Sequence, residues 1–99
     1  MDQLHIDRYV IDTLMPDLVG HDKRPSALLV YLFLSARKTD ARRHRSTASL
    51  RDIADGTGLS KRGVQQAIAL LERRRLISRM KAKPTGAAAY EVLRPWRKR

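Results

Sequence analysis

The chain has no cysteine among its 99 residues. That excludes disulfides, thiolate metal ligands and thiol chemistry. Histidine is scarce as well. His5, His21 and His44 stand far apart without ligand-like spacing, so no metal site is expected. Aromatics are limited to Tyr9, Tyr31, Phe33, Tyr90 and Trp96. Stacking platforms for RNA or single strands need more of them on open surfaces. The longest apolar stretch, Ala27 to Leu34, is eight residues, against the roughly 20 that span a bilayer. The opening MDQLHID has neither the basic nor the apolar block of a secretory signal. A cytoplasmic protein with no membrane role is therefore expected, most simply bacterial or phage-like. The parts of an enzyme are missing too. There is no nucleophile–base–orienter set, no glycine-rich phosphate loop and no carboxylate pair in an apolar setting. Asp52 and Asp55 are three apart, but capping and surface charge explain them. No catalytic activity and no cofactor are expected.

Acidic residues are the other shortage. Ten Asp and Glu face 21 Lys and Arg, giving a net charge of +11. The imbalance is uneven along the chain. Residues 1–22 hold five aspartates against Arg8 alone, a net charge of −4. The rest of the chain carries +15. A field of that size attracts polyanions and steers encounter with nucleic acid, without saying which kind.

What the chain does have is concentrated in LRDIADGTGLSKRGVQQAIA, from Leu50 to Ala69. Leu50, Ile53 and Ala54 recur at helical spacing. Leu59 follows at a turn, and Val64, Ala67 and Ile68 repeat the pattern on a second segment. Two short crossed helices sharing a core need this distribution. Ala54 is small where the helices are expected to approach. Gly58 stands where the turn requires a positive φ. Ser49 followed by Asp52 resembles a capping box, and Ser60 is placed to cap the second helix. The Val64, Ala67, Ile68, Leu71 stripe reads as core. The arc left over holds Lys61, Arg62, Gln65, Gln66, Ala69 and Arg73. The pattern is that of a helix-turn-helix, whose second helix enters the DNA major groove. Arg and Gln there can bond guanine and adenine edges, and Lys can reach phosphate or guanine.

The flanks complete a single mostly helical domain over residues 1–99. Residues 1–9 read as a possible arm. Tyr9 to Val19 reads as one amphipathic helix, or as two pieces divided near Met15–Pro16. HDKRP is a loop, and Pro25–Ser26 open a helix that is apolar all round through Leu34. KTDARRHR, from Lys38 to Arg45, is a basic connector. Ser46–Ala48 fits a short strand before the helix-turn-helix of residues 49–74. Residues 76–93 fit two strands about a turn at Lys83–Gly86. Residues 94–99 are a basic tail whose Trp96 packs on the body of the fold. The fold class is thus mainly α with a small β-hairpin.

From Pro16 to about Leu93 the chain resembles winged helix-turn-helix domains, such as those of plasmid and phage replication proteins and of small bacterial transcriptional regulators. The resemblance rests on PSALLVYLFLSARK followed by SLRDIADGTGLSKRGVQQAIALLERRRLI. It implies double-stranded DNA as partner, with Ser60, Lys61, Arg62, Gln65 and Gln66 at the DNA-facing start of the recognition helix and Lys81, Lys83 and Thr85 at the wing tip. Arg73 lies on the same outward arc. Of the run Arg73–Arg75, one residue is a candidate for phosphate and the rest for a solvated helix end. One position departs from the pattern. Arg75 stands where such proteins usually have glycine before the wing, so either the helix end is not left-handed or Arg75 accepts a backbone cost. The acidic N-terminus is expected to face away from DNA, and its apolar stripe fits a homodimer contact through the N-terminal helices. The leading expectation is sequence-specific binding by a small repressor. Replication or plasmid maintenance, a protein-docking winged helix and a basic RNA-binding protein are the alternatives.

Overall fold

The computed structural model describes residues 3–37, 45–80 and 86–97. The chain first runs through two π-helical turns, Val10–Leu14 and Asp17–His21. Met15 and Pro16 between them keep helical backbone angles. The division expected near Met15–Pro16 is thus a change of winding and not a break. Pro16 has no N–H to donate, and its ring crowds the carbonyl one turn earlier. Wider turns on either side accommodate it, closed by Met15 N–H to Val10 O and Asp22 N–H to Asp17 O.

Helix α1, Pro25–Ala36, is the central pillar. It packs on the second π turn and on every later element except β2 at the level of substantial contact. Ala27, Leu28, Val30, Tyr31 and Leu34 are buried, while Leu29 points outward at 44% exposure. The all-round apolar pattern therefore leaves one leucine in water. Burial pushes the Tyr31 hydroxyl far above its usual pKa, and it donates to Leu93 O at 2.9 Å. Strand β1, Arg45–Ala48, follows. Its Ser46 is fully buried because the hydroxyl donates to Leu34 O at 2.6 Å, which satisfies both groups.

Helices α2, Leu50–Thr57, and α3, Lys61–Arg73, come next, then β2, Ile77–Arg79, and β3, Ala88–Val92. The sheet order is β1-β3-β2, all antiparallel. Ala48 pairs with Ala88 on one side of β3, and Ile77 pairs with Val92 on the other. Ala88, Tyr90 and Val92 alternate inward against the helices. The β-hairpin anticipated from residues 76–93 thus gains a third strand from the segment before α2.

Arg75 has φ 57, so it takes the left-handed conformation despite its side chain. The reason is visible in the hydrogen bonds. Leu76 N–H reaches Leu71 O at 2.8 Å and Arg75 N–H reaches Glu72 O at 3.0 Å. These are the paired bonds of a Schellman ending, with Leu76 and Leu71 both buried as its apolar contact. The terminal segments also meet. Trp96 stacks on Tyr9 at 4.7 Å between ring centroids, and its indole N–H donates to Asp7 at 2.9 Å.

Candidate nucleic-acid interface

The turn between α2 and α3 is set by its own residues. Ser49 Oγ accepts from Asp52 N–H, and Asp52 Oδ2 accepts from Ser49 N–H, each at 3.0 Å. The backbone and hydroxyl of Ser49 hold the Asp52 carboxyl below its usual pKa range. Gly58 ends α2 at φ 80 and returns its N–H to Ala54 O. Thr57 Oγ1 donates to Ile53 O at 2.6 Å and accepts from Leu59 N–H at 3.3 Å. Ser60 then caps α3 by accepting Gly63 N–H at 3.0 Å. The anticipated capping box, glycine turn and serine cap are all present.

One close contact between α1 and α2 is not evident in the sequence. A Cβ on Gly56 would lie 2.1 Å from Cε1 of Phe33. The ring of α1 therefore occupies the space that a side chain would fill. Ala54 is half-buried against the core.

Val64, Ala67, Ile68, Leu70 and Leu71 bury one side of α3. At 100° per residue, Arg62, Ala69 and Arg73 fall at the centre of the opposite arc. Gln65 lies toward the sheet. It lines a polar groove of about 210 Å³ with Ala69, Glu72, Arg79 and Tyr90. Gln66 lies on the other flank, where its side-chain oxygen accepts from Arg24 at 2.8 Å. Ser60, Lys61, Arg62, Gln65, Gln66 and Arg73 are all exposed along this one face. Lys81, Lys83 and Thr85 lie outside the described residues.

The three consecutive arginines at the end of α3 have three different fates. Arg73 is exposed, and Arg75 forms the left-handed ending. Arg74 folds back to bond both Asp17 and Asp22 from the N-terminal segment. His21 first, and Arg74 with it, holds the Asp22 carboxyl below its usual range. The acidic N-terminus is thus tied to the end of α3. No ion pair among the described residues involves Lys61, Arg62 or Arg73. Exposed Glu72 lies at the edge of the same arc, between Lys61 and Gln65.

Two cations beside this face escape a reading of local pattern. Arg24 sits in the loop before α1, 42 residues from Gln66. Arg79 ends β2 beside the groove. Only the two basic neighbours Lys23 and Arg24, just before Pro25, hint at the first. Among the described residues, no group of three or more His, Asp or Glu side chains is placed to hold a metal. No described helix is long and apolar enough to cross a membrane.

Three helices, a glycine turn between the last two and a three-stranded antiparallel sheet with its hairpin after α3 define a winged helix-turn-helix. The chain matches the family model described as a helix-turn-helix domain over residues 21–77, more than half its length, and belongs to that family. The matched span runs from the loop before α1 to the start of β2. It is a family of DNA-binding domains that are typically not enzymes. No curated protein matches the chain.

Proposed function

We propose that the protein reads a specific double-stranded DNA sequence by laying α3 in the major groove, and that it acts as a small transcriptional repressor by occluding what it covers. The observation that carries this reading is the outward arc of α3. Its cations Lys61, Arg62 and Arg73 form no ion pair among the described residues, they outnumber the one acid at its edge, Glu72, its two glutamines flank it, and Ala69 is its only apolar side chain. A docking surface for protein would present large apolar groups there. Arg62 and Gln65 are assigned to base edges. Ser60 and Lys61 are assigned to a phosphate at the helix N-terminus, where free N–H groups and the dipole favour an anion. Arg73 is assigned to the backbone farther along the groove. Lys81, Lys83 and Thr85 are assigned, from their place in the sequence, to the flanking backbone.

A second copy is proposed to pair through the N-terminal segment. There Leu4, Ile6, Tyr9 and Ile11 leave apolar surface exposed. Two-fold symmetry would then impose half-sites about one helical turn apart.

The test is selection from a random duplex library at about 150 mM salt, where non-specific binding is weak. A single enriched motif is the expected outcome, and a palindromic one reports the dimer. Enrichment of nothing overturns the sequence-reading role.

A further inference from the structure

We propose that Arg24 and Gln66 act as one reading unit that selects guanine over adenine at one base pair of the bound site. The proposal rests on the DNA-reading role of α3 and names what one flank of that helix recognises.

The bond between the two side chains fixes the glutamine amide. A guanidinium has five N–H donors and no acceptor. The atom of Gln66 that faces Arg24 must therefore be the carbonyl oxygen, and Oε1 accepts from Nη1 at 2.8 Å. The amide nitrogen, with its two donors, is left to turn elsewhere. An unrestrained glutamine favours adenine, because it accepts from N6 and donates to N7 together. Here the accepting half is engaged by a cation, which also repels the N6 amino group. Gln66 Oε1 keeps a second lone pair, but an amino group that approached it would meet the positive charge of Arg24, so the donors of the pair are the groups that reach a base edge without that cost. The major-groove edge that offers two adjacent acceptors is that of guanine, through O6 and N7.

Arg24 is delivered to this position by its own turn. Pro25 opens α1 and disfavours the helical region for the residue before it, and Arg24 stands outside that region at φ −134 and ψ 75. Its N–H bonds Leu18 O at 2.8 Å. Lys23 beside it takes φ 53, a conformation that L side chains seldom adopt and that sets the direction of the chain here. Asp22 is anchored to Arg74, the residue that caps the end of α3. The loop is thus clasped to the recognition helix at two points, Asp22 to Arg74 and Arg24 to Gln66. Arg24 stays close to Gln66 for structural reasons that do not depend on DNA.

The experiment is the random-duplex selection run on the whole chain, wild type beside Arg24→Ala, Arg24→Lys and Gln66→Ala. Both side chains lie at the surface, and thermal unfolding of each variant verifies its fold. The wild type is expected to favour guanine at one position by on the order of tenfold. Arg24→Ala frees the Gln66 oxygen and should shift that position toward adenine. Arg24→Lys keeps a donor-only partner and should retain guanine. Gln66→Ala should make the same position degenerate. A motif identical in wild type and Arg24→Ala overturns the proposal while leaving the DNA-reading role intact. So does a uniform loss of affinity in Arg24→Ala, with a shallower salt dependence and unchanged base preferences, which marks a phosphate contact. A wild-type chain that selects no motif removes the role on which the proposal stands, and the proposal with it.

Discussion

Replacing Arg75 by glycine should leave this protein more stable than replacing it by alanine, which removes the same charge. The left-handed conformation costs an L residue roughly 1–2 kcal/mol relative to glycine. Arg75 bears that cost at φ 57, where the Schellman bonds to Leu71 and Glu72 require it. Glycine removes the strain but adds freedom to the unfolded chain, worth about 0.4–1 kcal/mol in the other direction. The Arg75 side chain is exposed, so no packing is lost. The lost cation near a helix C-terminus is worth about 0.3–1 kcal/mol. Arg75→Ala controls for it, since alanine loses the same charge and keeps the Cβ. The glycine variant should therefore exceed the alanine variant by about 0.5–1 kcal/mol in urea unfolding followed by circular dichroism. In a domain of this size that is a few degrees in Tm, about 4–8 °C per kcal/mol. A glycine variant no more stable than the alanine variant would refute the left-handed ending. The chain would then have to reach the wing by a different route.

The base-reading assignment predicts that Arg62→Ala or Gln65→Ala lowers affinity for the selected site by about 1–3 kcal/mol and relaxes one base position each. Binding isotherms on single-substitution duplexes check this, and two silent variants would move the interface off α3. Gly56→Ala gains about 1 kcal/mol of helix propensity but drives a methyl into the Phe33 ring, which overpacking data value at about 1–3 kcal/mol. Net destabilisation is expected, and it should vanish when Phe33→Leu is added; a loss that persists in the double variant assigns it elsewhere. Acid should loosen the N-terminal segment. Arg97 and Trp96 hold Asp7, and His21 and Arg74 hold Asp22, below the ordinary value of 3.8. The folded state then binds fewer protons than the unfolded state, so this stability is complete above about pH 4 and is lost as pH falls through the depressed values. Asp7→Asn should flatten the decline of Tm between about pH 4 and pH 2, and an unchanged slope contradicts the assignment.

How much of this was legible in the sequence depended on the reach of each interaction. The helix-turn-helix is a local object. Its caps act over three residues, its turn over two, and its core stripe repeats every three or four, so Ser49, Gly58, Ser60 and the Val64–Leu71 stripe announce it. The left-handed ending at Arg75 was half legible. The position was evident, but its conformation goes with the backbone bonds from Leu76 and Arg75 back to Leu71 and Glu72 and with the burial of Leu76, not with the residue that adopts it. β1 is harder to read, because a strand of four residues with a serine inward carries little pattern. Ser46 is tolerated only because Leu34 O is there to receive its hydroxyl. The interactions between distant segments left no local trace. Arg74 is linked to residues 52 and 57 positions away, and nothing in the run Arg73–Arg74–Arg75 distinguishes the one that folds back.

Those distant links also determine where the charge of the chain appears. A net charge of +11 spread evenly would attract any polyanion to any face. The aspartates of the N-terminal segment are instead engaged away from the outward arc of α3. Asp17 and Asp22 hold Arg74, Asp7 holds Arg97, and Asp12 meets Arg8. Glu91 faces Arg45 across the sheet, and Asp55 faces Arg51 along α2. Lys61, Arg62 and Arg73 have no such partner among these pairs. The acidic segment is therefore engaged within the fold. It neutralises Arg8, Arg97 and, at the end of α3, Arg74, while Lys61, Arg62 and Arg73 on the arc that also carries Gln65 and Gln66 form none of these pairs. If α3 reads bases as proposed, a chain lacking those aspartates should bind duplexes of all sequences more tightly in binding isotherms while discriminating among them less.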